Sequence, residues 1–267
     1  MQNTDKKLNI LKDLVRIVDK VENSIQGDFK DRSMLKISDE ELDDYFVYQF
    51  LLKTKSHARS VILLAEHQFS KEVVLIARTI LEGWFYFKSF INVKLRATGT
   101  PLSKKWRDFW IYQFFQNIRQ QDGEVKAIEL LTELENTMGV SVVTEAIREF
   151  DPYNDRLVWY KRGNLNALIE VDGDKTLMSF YRDVYSLYSQ IQHWNPFMMT
   201  SKLDPELELG LIAIIFSVFN IAEYANIEYN LKFDDELANI KRRAIELQTS
   251  QMRSLATELR ISRMRDL

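Results

Sequence analysis

The chain has 267 residues, a formal net charge of −3 and 46% hydrophobic residues. It has apolar material for a sizeable core, which excludes a chain too polar to fold, and so small a charge sets up no global field that demands a nucleic acid. Without cysteine it can form no disulfide, thiolate metal site or cysteine nucleophile, and its 8 glycines and 4 prolines favour helices over a turn-rich β fold.

Leu8, Leu11, Val15, Val18, Val21 and Ile25 recur at three- and four-residue steps, which predicts an amphipathic helix closed by Gly27. Ser38-Asp39-Glu40-Glu41 has the pattern of a capping box, in which the serine accepts from first-turn amides while the glutamate reaches back. A long helix is expected from there to Glu66. Ser70 caps the next, expected from Lys71 to Arg96, where Gly99 and Pro101 break it. Ser103 opens a helix expected to turn Trp106, Phe109, Trp110, Phe114 and Ile118 to the core. Gly123 and Gly139 bracket a helix from Glu124 to Met138, and a short one follows from Ser141 to Phe150.

Asp151-Pro152-Tyr153-Asn154-Asp155 reads as a turn. A helix is then expected from Thr176 to before Pro196, because the residue preceding proline disfavours α geometry. Asp204-Pro205 combines a cap with proline at the first helical position and opens a helix to Asn230. Its apolar stretch, Leu207 to Ala225, is interrupted by Glu208, Ser217, Asn220 and Glu223, so it reads as a buried helix of a soluble core and not as a membrane span. A strongly charged helix begins at Asp234, with Leu237, Ile240, Ala244 and Leu247 at a heptad-like step that suits a partner chain. The whole reads as one all-α bundle of eight to ten helices over 1–267. Residues 38–98 and 176–231 supply the core helices, 100–175 are a helical elaboration, and 234–267 are a charged C-terminal helix. No secretory signal is visible in the N-terminal residues, and a cytoplasmic location is expected.

Two helices hide polar groups in apolar surroundings. Val73 to Phe87 carries Arg78 and Glu82 one turn apart. Such a pair serves either as an ion pair between helices or as an anion site in which Glu82 orients Arg78. On the other helix Tyr181, Tyr185, Ser189 and His193 fall four apart and share a face. His193 reads either as a capping or core histidine or as a group that titrates near neutral pH and transfers protons. Arg59 and Arg182 are further candidates for binding an anion. The chain has 3 histidines and no His-Glu-x-x-His, and no Gly-rich phosphate loop, so neither a metal nor a cofactor is expected.

Ser56-His57-Ala58-Arg59, then Ala77-Arg78-Thr79-Ile80-Leu81-Glu82, then Tyr185 to His193 resemble a family of mostly bacterial helical proteins of unassigned activity, over roughly residues 40 to 230. Members pair an Arg-x-x-x-Glu helix with a later Tyr-x-x-x-Ser-x-x-x-His helix. The chain is more distantly similar to HEPN domains, helical bundles of ribonuclease toxins and phage-defence proteins. Their ribonuclease members set an arginine before a histidine with four to six residues between them, usually across a dimer. Upstream of His193 the nearest arginine is Arg182, so Arg78 or Arg59 would have to supply that group in space. Three functions follow as expectations. The first is a binding or scaffold protein, a homo-oligomer such as a dimer, part of a bacterial defence or toxin system, whose Arg/Glu/Ser/His polar centre holds helices in register. The second is a metal-independent ribonuclease acting on RNA through His193 and an arginine. The third is a sensor of a small anionic ligand, with the polar centre as its pocket.

Overall fold

The computed structural model describes residues 2–32, 34, 37–91, 102–138 and 204–247. Among them are seven helices and no strand. They are α1 (Gln2–Phe29), α2 (Leu42–Glu66), α3 (Ser70–Ile91), α4 (Leu102–Asp122), α5 (Glu124–Met138), α6 (Asp204–Glu228) and α7 (234–247). The all-α class is as expected. The expected helices at 141–150 and 176–195 lie outside the described residues.

The helix ends follow from local chemistry. At the start of α2 the Glu41 amide donates to Ser38 Oγ at 3.4 Å, while the Ser38 amide and hydroxyl donate to Glu41 Oε2 at 3.4 and 3.0 Å. This reciprocal pairing is the capping box read from the sequence. At the far end Gln68 adopts φ 62°, and the Phe69 amide returns to the Leu64 carbonyl at 2.9 Å. That left-handed residue and six-to-one bond end α2 and turn the chain into α3. Asn230 ends α6 the same way, with φ 50° and Leu231 N donating to Asn226 O at 3.0 Å. Asn226 also accepts from Phe233 N at 2.8 Å and donates to Asp234 at 2.9 Å, which ties the α6–α7 turn.

Two expectations need correction. α1 does not stop at Gly27 but runs to Phe29. Gly27 faces solvent, while Ile25 and Phe29 continue the buried stripe, so packing beyond the glycine outweighs its poor helix propensity. On α4, Phe114 and Ile118 are only half-buried, the side chains of Trp106, Phe109 and Trp110 lie outside what is described, and the deepest described positions are Arg107, Asp108, Ile111 and Tyr112. The polar pair rides on the core face because Arg107 bonds Asp108 on its own helix and Asp39 ahead of α2, which offsets the burial of its charge.

By their internal contacts the described residues form two compact units interleaved along the chain. One holds α1 to Gly27, α2 from Phe50, α3 to Trp84, α6 and α7. Its core is built from Leu11, Leu14, Val18 and Val21 of α1, Val61 of α2, Val74 and Leu81 of α3, and Leu211, Ile214 and Ile221 of α6, all at most 1% exposed. Gly210–Glu228 of α6 is long and apolar enough to cross a membrane, yet 67% of that window is buried within the protein, as a core helix requires. The other unit holds 28–49, the end of α3 from Phe85, α4 and α5. Phe29 and Phe46 both pack on Tyr45 there, and Phe46 meets Phe90 edge-on at 5.9 Å.

Candidate functional site

The polar groups of α3 sit at the margin of a buried helix face. Val74, Ala77, Leu81 and Trp84 are at most 1% exposed. Arg78 and Glu82 occupy the flank of that stripe, at successive turns, and both are half-buried. Four-residue spacing alone explains their shared face. Both side chains have interaction partners. Arg78 is therefore held on a helix whose position is fixed by core packing, and its partial exposure leaves room for a further contact.

Arg59 stands elsewhere. It is 56% exposed and donates to both oxygens of Asp19 on α1 at 2.7 Å. Lys55, one turn earlier, bridges Asp19 and the buried Glu22. Together they form a charged seam between α1 and α2, a contact expected to contribute little where it is exposed. His57 is half-buried on α2, and its Nε2 is enclosed with no hydrogen-bond partner. Burial first, then the nearby Lys53 charge, pushes its pKa below the usual histidine value. His67 is exposed at the α2–α3 turn. His193, Ser189, Tyr185 and Arg182 lie outside the described residues. Arg78 and Glu82 thus stand on successive turns of α3, and Arg59 is in an ion pair with Asp19.

A buried ion pair went unnoticed in the sequence. Lys7 Nζ donates to Glu208 Oε2 at 3.0 Å, joining the second turns of α1 and α6, with side-chain exposures of 1% and 27%. Burial is the largest influence on Lys7 and lowers its pKa, while Glu208 opposes it. The signal was present: Lys7 lies three, four and seven residues before Ile10, Leu11 and Leu14, in register with the buried stripe of α1. On one side of this pair a mixed polar cleft of about 710 Å³ is lined by Asp5, Lys12, Glu66, Gln68, Ser70 and Glu208. Across it Lys12 pairs with Glu66 at 2.6 Å.

The chain belongs to a family of unknown function, DUF5677, matching it over residues 44–208. That span contains Arg78, Glu82 and the Tyr185–His193 segment, and it excludes α1 and α7. No curated protein and no solved structure matches the chain.

Proposed function

We propose that this member of the family is a helical binding protein whose polar centre, Arg78 and Glu82 with Ser189 and His193, takes a small anionic group such as a phosphate. The observation that carries the reading is the half-burial of Arg78 and Glu82 beside a fully packed stripe of α3. A sealed, mutually satisfied pair would serve only to hold helices in register. A partly open guanidinium, fixed by packing and oriented by a carboxylate, can meet an anion with two parallel hydrogen bonds. Tyr185 shapes the centre in this reading, Arg182 is an accessory cation, and the protein works in the cytoplasm as a homo-oligomer without a metal or cofactor.

The test is a calorimetric titration with pyrophosphate. Wild type should bind saturably, and Arg78→Ala should weaken binding ten- to a hundredfold, the worth of a charge-assisted hydrogen bond of about 1.5–3 kcal/mol. Equal affinity in wild type and variant overturns the reading.

A second reading is metal-independent cleavage of RNA, as in the HEPN domains of toxin and defence systems that the chain distantly resembles. His193 would be the general acid or base, and Arg78 would stabilise charge on the phosphate. Arg78 suits this better than Arg59, which is committed to Asp19 at the surface. Total RNA cut by wild type and left intact by His193→Ala would establish it, and RNA left intact by both would end it.

A further inference from the structure

A second cavity of the first unit lies between α6 and α7. It measures about 100 Å³ and is walled by Phe216 and Phe219 of α6 and by Ile240, Ala244 and Ile245 of α7, with Lys7 reaching it from α1. Three polar residues join the lining: Asn220, Glu223 and Lys241. An apolar pocket with a few convergent polar groups is the usual form of a small-molecule site. Two large apolar side chains of the lining, Phe216 and Ile245, remain 37% and 53% exposed, although the rest of α6 and α7 that faces inwards is covered. Every lining residue falls outside residues 44–208, so this pocket uses no residue of the Arg78 centre or of the part of the chain that the family shares.

The charges say what fits. The lining holds two ammonium groups, on Lys7 and Lys241, against one carboxylate, on Glu223. Lys7 is committed to Glu208 and buried. Lys241 is different. It is 54% exposed, bonds Glu223 at 3.2 Å, and stands 5.4 Å over the Phe219 ring. Such an exposed pair is weak, and its long flexible stem lets the ammonium turn to a new anion without unfolding anything.

We infer that this pocket binds a medium-chain carboxylate, its apolar chain between α6 and α7 and its head group on Lys241. An engineered cavity of about 150 Å³ holds benzene, so about 100 Å³ encloses roughly four carbons of a chain. The remaining methylenes lie over Phe216 and Ile245, whose exposure they remove.

The experiment is isothermal titration of the full-length protein with submicellar hexanoate, octanoate and decanoate, and with decanol. Affinity should rise about fourfold per added methylene until the apolar surface is filled. Lys241→Gln should weaken decanoate about fivefold and leave decanol unchanged. Ala244→Phe should fill the space and abolish binding of both while the helical circular dichroism is retained. The exposed Lys241→Gln keeps the test decisive if that larger substitution disturbs folding. No saturable binding at any chain length overturns the inference, as does decanoate affinity untouched by Lys241→Gln. Affinity that falls as protein concentration rises also overturns it, since a second copy would then be the occupant.

Discussion

Lys7 and Glu208 show how a single buried contact divides its energy unequally between its partners. Removing Glu208 leaves an ammonium that is 1% exposed with no counter-charge, whereas removing Lys7 leaves a carboxylate that is 27% exposed and still reaches water. Glu208→Gln should therefore cost about 3 kcal/mol and lower the melting temperature by roughly 6–12 °C, while Lys7→Met should be close to neutral. Equal losses in thermal melts of the two variants would contradict this. His57 makes a pH-dependent claim. Burial disfavours its charged form in the folded chain, so as the pH drops through about 6.5 the unfolded chain binds more protons and stability falls. His57→Gln should flatten the decline in melting temperature between pH 7.5 and 5.5. Glu41 has the same sign of pH dependence, displaced to lower pH. Hydrogen bonds from Arg32 and then Ser38 bring its pKa down to about 2, so what it contributes is present above the ordinary carboxylate range and is lost as pH falls towards 2.

At the scale of the element, signals confined to a few neighbouring residues were the legible ones. The capping box of Ser38 and Glu41 and the glycine before α5 set their helix starts, because caps and turns are decided by neighbours in sequence. The buried face of α4 was not legible, because Arg107 and Asp108 look solvent-facing until Asp39 is brought to them from 68 residues away. Gly27 misled for a related reason: its local preference to end a helix lost to the burial of Phe29. Two glycines turn this into a prediction. Gly27 is helical and exposed with open space around it, so Gly27→Ala should raise stability by about 0.5–1 kcal/mol. Gly123 has equal space but φ +90°, where a side chain is strained, so Gly123→Ala should lower stability despite the absence of any clash. Denaturant midpoints of opposite sign would bear this out, and a loss in both variants would contradict it.

At the scale of the molecule, the core of the first unit brings together α1, α2, α3, α6 and α7 from distant parts of the sequence, and both of its cavities depend on that assembly. Periodicity revealed each helix and its apolar stripe. It did not reveal which stripe meets which, so the Lys7–Glu208 pair, 201 residues apart, and the α6–α7 pocket emerged only with the fold. Arg78 and Glu82 were legible because one helix supplies both of them. Their relation to His193 is the central claim, and the chain's 3 histidines make it directly measurable. The measurement is an NMR pH titration of the imidazoles, assigned by single His→Gln variants, in wild type and Arg78→Ala. A guanidinium beside His193 disfavours the imidazolium, so His193 should titrate at higher pH in Arg78→Ala than in wild type, and pyrophosphate should raise its pKa in wild type alone. Superimposable His193 curves in the two proteins, unmoved by pyrophosphate, would contradict a shared centre.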